Sequence, residues 1–206
     1  MIRKGKLLFH TVKYLKLSQI WNRIKGKFSN TSINTFSAPV LSKPKDKFQT
    51  VTLSKQKMLN NNTFRFLNKT NSIKSSKSWN DTNQDKLWLY NLHYFDDLNA
   101  VNSDKRKEWH DNLIQKWIKE NAPECGGIGW EPYPSSLRIV NWIKWSLLGA
   151  NIKQDWHDSL AMQVRYLSQN LEYHILGNHL FANAKALIYA GLYFQGMEAE
   201  KWYKTG

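Results

Sequence analysis

Apolar residues recur at helical intervals through the second half of the chain, and this periodicity limits the possible folds more than any other feature. Leu160, Val164, Leu167, Leu171 and Ile175 follow one another at spacings of 4, 3, 4 and 4 from a start near Asp155, which places them on one helix face. From Asn178 the pattern restarts with Leu180, Ala184, Leu187 and Gly191. Upstream, Asp104 is placed to cap a helix that runs to about Glu120, with Trp109, Leu113, Trp117 and Ile118 inward. The loop PECGGIGWEPYP separates it from a helix over about 135–150, capped by Ser135 or Ser136, and a fifth helix opens at Met197. Consecutive amphipathic helices with short joints predict antiparallel hairpins. The expected fold class is all-α, an array that looks unfinished where the sequence stops at Gly206.

The first part of the chain differs in texture. Residues 1–86 carry 18 Lys/Arg against 3 Asp/Glu, a net +15, whereas 87–206 carry 12 against 13, a net −1. The whole basic excess therefore sits ahead of the helical region, which suits contact with an acidic partner such as a polysaccharide, a membrane surface or nucleic acid. Residues 1–35 read as a basic amphipathic arm, with Leu17, Ile20, Trp21 and Ile24 at i, i+3, i+4 and i+7. Such a helix either docks on the main domain, the reading we favour, or lies at a membrane surface. Residues 36–86 are a polar Ser/Asn/Thr/Lys connector with room for one or two short strands, as at FQTVTL. The domain proper, 87–206, opens with LWLYNLHYFDDL, which reads as a buried strand or short aromatic segment.

The single cysteine, Cys125, excludes an internal disulfide framework. No stretch approaches the roughly 20 apolar residues of a membrane span, and Lys13 and Lys16 break the apolar segment a signal peptide needs. The chain as written thus has no export signal. Ten tryptophans suit either a helical core with large gaps or a cleft that stacks on flat ligands such as sugar rings.

Gly177, Asn178 and His179 interrupt the helical pattern. Gly177 suits the left-handed end of one helix and Asn178 the N-cap of the next. Phe181 stands where a capping box would want Glu or Gln, so the cap is unreinforced. A plain joint explains these residues. Chemistry explains them too: His179 and Asn183 at i, i+4 share a helix face, where the Asn183 amide could orient the imidazole. An anion at the helix mouth would meet backbone N–H groups, an amide and an imidazole. Glu172, a lone carboxylate just upstream, reads as a surface or ion-paired residue.

A second constellation is GWEPYPSSLRIVNW, residues 129–142. Trp130, Tyr133 and Trp142 supply ring faces, Arg138 a fork for carboxylate or sulfate, and Asn141 a further amide. For the tryptophans alone, ordinary core packing is the simpler reading. The third, NLHYFDDL, offers His93, Asp96 and Asp97, but no second histidine at ligand spacing, and adjacent aspartates on a strand would face opposite sides. No metal site and no cofactor motif (HExxH, P-loop, GxGxxG or GxSxG) emerges.

LYNLHYFDDL, the pattern W-E-P-Y-P-x-S-x-R-I-x-N-W across 130–142, and LSQNLEYHILGNHLFANAKALIYAGLYF across 167–194 together resemble the N-terminal helical domain of the heparinase II/III-like polysaccharide lyases. The leader FHTVKYLKLSQIWNRI also looks like that of members near surface-polysaccharide functions. The resemblance implies an (α/α) toroid followed by a β-sandwich, and cleavage of uronic-acid polysaccharide by β-elimination without a cofactor. It implies that Asn178 and His179 neutralise the substrate carboxylate, His179 also serving as base for one sugar epimer. Trp130, Tyr133, Arg138, Asn141 and Asn183 would then contact substrate. The family's catalytic tyrosine and sandwich histidines would fall beyond Gly206, so the expectation is half of a site, inactive alone. A non-catalytic acidic-glycan-binding or scaffold fragment is the alternative, and nucleic acid ranks last because no motif accompanies the charge. Family members are often periplasmic or secreted, which leaves the compartment open.

Overall fold

The computed structural model describes residues 34–43, 46–49, 54–150 and 152–206. The expected basic helix and most of FQTVTL lie outside them. Among the described residues the fold is mostly helical, as expected, with one small sheet that an all-α reading does not include.

The sheet arises inside the supposed connector. Strands β1 (Met58–Asn60), β2 (Thr63–Phe66) and β3 (Lys69–Ser72) form an antiparallel meander. Leu67 and Asn68, both at positive φ, close the β2–β3 hairpin in two residues. Phe64 and Phe66 alternate with exposed Arg65, so one sheet face is apolar, and with Met58, Ile73 and Trp79 they join the main core.

LWLYNLHYFDDL, expected as a buried strand or short aromatic segment, is helical through Tyr94 and then turns, its DDL in a 3-10 turn. Helix α1 (Lys86–Tyr94) is capped by the Asp85 carboxylate, which accepts the Leu87 and Trp88 N–H groups. Trp88, Leu89 and Leu92 then fall on its buried face, and Phe95 ends it at φ 59. Aromatic-rich runs favour strands by propensity, but the cap and this spacing decide otherwise. Helix α2 (Lys107–Glu120) buries His110, Leu113, Ile114 and Trp117, while Trp109 and Ile118 lie at the margins. Asp104 sits in a preceding 3-10 turn and makes no cap.

Helix α3 (Pro132–Leu147) starts earlier than expected because Pro132 occupies its first turn, where a missing N–H costs nothing. Ser135 and Ser136 are therefore inside the helix, donating to the Gly129 and Pro132 carbonyls instead of capping. Helix α4 (Gln154–Gln169) stops well before the corner. The Asn170 amide turns back to the Tyr166 carbonyl, and Ile175, expected inward, is exposed. Helices α5 (Gly177–Tyr193) and α6 (Met197–Thr205) complete the described chain.

Side-chain contacts give the helix directions. Trp117 and His110 of α2 meet Trp142 and Trp145 of α3, and Arg138 and Trp145 of α3 meet Gln163 and Trp156 of α4. Each pair runs antiparallel. Gly191 of α5 faces Ala199 and Tyr203 while Gly206 faces Ala184 and Ile188, so α5 and α6 are antiparallel too. By contrast Tyr133, Ser136 and Ser146 of α3 meet His179, Asn183 and Tyr193 of α5 in order, which makes those two parallel neighbours. Hairpins of alternating direction are thus present as the periodicity required.

Candidate functional site

Three polar groups inside this array hold the residues singled out in the sequence, and the corner group among them includes the partly exposed His179. The first centres on Arg138, whose side chain is 0% exposed. Its guanidinium donates to Gln163 Oε1, to the Gly129 and His93 carbonyls and to Ser135 Oγ, and lies 3.9 Å over the Trp117 ring. Burial holds its pKa well below the usual arginine value. His93 beside it donates from Nε2 to the Trp79 carbonyl and accepts the Trp117 indole N–H at Nδ1. Burial, and then the Arg138 charge, push His93 down to about 3, although its bond to Trp79 pulls the other way. Gly129 lets the ring sit there, because a Cβ would stand 2.7 Å from its Nδ1 and Cε1. Gly129→Ala is expected to cost about 1–3 kcal/mol through this clash, read as a lower denaturant midpoint.

The second group surrounds Asp97, on a 3-10 turn rather than a strand. Its carboxylate accepts Arg106 Nε and His110 Nε2, each at 2.9 Å, and the backbone N–H groups of Lys57 and Met58. Burial alone would raise its pKa, but these four donors outweigh it and hold the carboxyl below the ordinary value. Asp96 instead accepts the Asn141 amide, which also bonds the Tyr94 carbonyl.

These placements correct several expectations. Trp130 and Arg138 are core residues, not cleft residues; the Trp130 indole donates to the Asn121 carbonyl. Asn141 ties α3 to the turn after α1, its amide protons spent internally. Among the described residues no group of three or more His, Cys, Asp or Glu side chains is placed to hold a metal, and no helix is long and apolar enough to cross a membrane.

The third group is the corner. Gly177 adopts the left-handed conformation (φ +58) foreseen for it, but the segment after Asn170, not a helix, leads into it. Leu176 is the residue preceding the helix, no side chain caps it, and Asn178 lies exposed in the first turn. His179 is 26% exposed, and its ring stacks on Tyr133 at 4.3 Å between centroids and 30° between planes. Its Nδ1 lies 3.0 Å from Glu172 Oε1. Glu172 Oε2 accepts the Asn183 amide, whose other bonds go to Ser136 Oγ and from the Glu172 backbone N–H. Tyr94 packs edge-on against Tyr133, and Tyr90 beyond it donates to Glu131, which Lys86 also pairs at 3.0 Å. Burial, with Glu131 second, raises Tyr90, and burial likewise raises Tyr94.

The structure therefore brings Tyr133, His179 and Asn183 together and leaves Asn178 at their edge. Asn183 is fully buried and its amide hydrogen bonds go to Ser136 and Glu172; Glu172 is the residue that bonds the imidazole. Glu172 is the member whose place in the site sequence reading missed: it reads as a surface or ion-paired carboxylate, and its ion-pair partner is His179. Its sequence signal is a lone carboxylate just ahead of the corner. No protein-family model matches the chain, and nothing matches among curated proteins or solved structures.

Proposed function

We propose that the chain is the N-terminal helical portion of a lyase that cleaves uronic-acid polysaccharide by β-elimination, its hairpins forming the first part of an (α/α) toroid. The alternating helix directions, with α3 and α5 parallel and α4 and α6 reversed, support the toroid half of the reading. The observation that carries the chemical half is His179, partly open beside an uncapped helix N-terminus and backed by a buried carboxylate.

A C5 proton alpha to a carboxylate is hardly acidic, because its removal adds charge to an existing anion. Hydrogen-bond donors on that carboxylate stabilise the enolate-like transition state. The first-turn N–H groups of α5, the Asn178 amide and the His179 ring supply them. A base takes the C5 proton and an acid protonates the departing C4 oxygen. The tyrosine and sandwich histidines that the resemblance assigns to this work would come from further polypeptide.

One observation favours a second reading, an acidic-glycan-binding portion without chemistry: Glu172 already engages both His179 and Asn183. Titration with oligosaccharides of heparan sulfate, alginate and hyaluronan tests both. Binding is expected to weaken about tenfold, or about 1.4 kcal/mol, in His179→Ala and after reduction of the uronate carboxyls. Growth of unsaturated-uronate ultraviolet absorbance, lost in His179→Ala, assigns a lyase. Binding without it by this chain fits both readings, and the second is assigned when absorbance stays flat in polypeptide that also supplies the tyrosine and sandwich histidines. Equal affinity for carboxyl-reduced glycan overturns both.

A further inference from the structure

We infer that Glu172 is the positioning residue of the corner, holding His179 as its Nδ1–H tautomer so that Nε2 is the nitrogen offered to a ligand. A carboxylate only accepts hydrogen bonds, so the 3.0 Å contact requires the proton on Nδ1. Nε2 then accepts a proton when the ring is neutral and donates one when it is charged. The carboxylate behind the ring stabilises the imidazolium as it forms, the role an acid plays behind a catalytic histidine.

Glu172 is fixed in turn. Its side chain is 7% exposed, Oε2 accepts Asn183 Nδ2 at 3.1 Å, and its own N–H donates to Asn183 Oδ1 at 2.8 Å. Asn183 is anchored to Ser136 of α3 at 2.9 Å. Tyr133 covers one face of the imidazole and holds its plane. The line Ser136–Asn183–Glu172–His179 thus runs from the helical core to the ligand side, and the Asn183 amide acts through Glu172 rather than on substrate.

The inference rests on the glycan proposal only for what Nε2 touches; the tautomer is a property of the free protein. The test is long-range ¹⁵N–¹H correlation on histidine-labelled protein at alkaline pH, where imidazoles are neutral. His179 is expected as Nδ1–H in the parent and mainly Nε2–H in both Glu172→Gln and Glu172→Met, because the single Gln oxygen is taken by Asn183 Nδ2 and its NH2 then faces Nδ1. His93, held as Nε2–H by Trp79 and Trp117, reports an intact fold in each sample. Parent protein showing Nε2–H at His179 overturns the inference, as does folded Glu172→Met that keeps Nδ1–H. Should Glu172→Met lose the His93 signature, the parent and Glu172→Gln spectra decide alone. Failure of uronate binding with the Nδ1–H tautomer present sinks the functional proposal and leaves this one standing. With both intact, glycan affinity falls in Glu172→Met as far as in His179→Ala.

Discussion

Asp97→Ala is expected to lower the unfolding free energy by about 3–5 kcal/mol, measured by urea titration against the parent. The carboxylate is 4% exposed and joins four donors from three places in the chain: the approach to β1, the turn before α2, and α2 itself. Removing it leaves Arg106, itself 6% exposed, as a buried charge without its partner, and leaves the Lys57 and Met58 N–H groups unpaired. Both penalties are desolvation already incurred and no longer offset. Asp97→Asn keeps the shape and one acceptor oxygen, so it should fall between the two. A loss below about 1 kcal/mol for the alanine variant would show an isolated surface-type pair, contrary to the packing.

Acid should unfold the protein earlier than ionisation of its carboxylates alone would, because of His93. Its folded pKa, about 3, lies below the unfolded value near 6.5. Between those limits the unfolded chain binds a proton that the folded one refuses. Stability therefore rises with pH across the window, and is lost on acidification at up to about 1.4 kcal/mol per pH unit. His157, lowered by burial, adds to that slope. Asp97, also lowered, contributes stability that is present above the unfolded carboxyl value and disappears as pH drops through the folded one. Asp96, raised by burial, acts in the opposite sense. Unfolding free energies of parent and His93→Gln, compared from neutral pH downward, isolate the imidazole because both aspartates remain. Parallel curves would mean that His93 takes up its proton in the folded state.

The helical half was legible because its signals are local. The Leu160–Val164–Leu167 spacing fixes a face of α4, and Gly177 announces its left-handed turn. What escaped depends on contacts distant in sequence. Arg138 looked like an exposed fork because nothing near it in the chain reveals that Gln163, His93 and Gly129 enclose it. The connector was expected to hold one or two short strands, but the meander at 58–72 was not placed. Its strands are three or four residues long, and their few apolar positions find their partners in the distant core. At the corner, His179 and Asn183 were found by their helical spacing, whereas the apolar periodicity carried a helix past Glu172 to Ile175, where the chain is irregular. The arrangement at the corner was half readable for that reason.

The parallel course of α3 and α5 has an electrical consequence. Their amino ends open at the same end of the array, neither capped by a side chain. Each aligned set of peptide dipoles amounts to about half a positive charge there. Glu131, at the start of α3, and Glu172, just ahead of α5, are the protein's own anions at that pole. The region from residue 87 onward is nearly neutral overall, and at this end the backbone contributes a positive field that those two carboxylates offset. Because the field belongs to the backbone, neither pH nor replacement of His179 abolishes it; side chains at the corner can change while the pole remains.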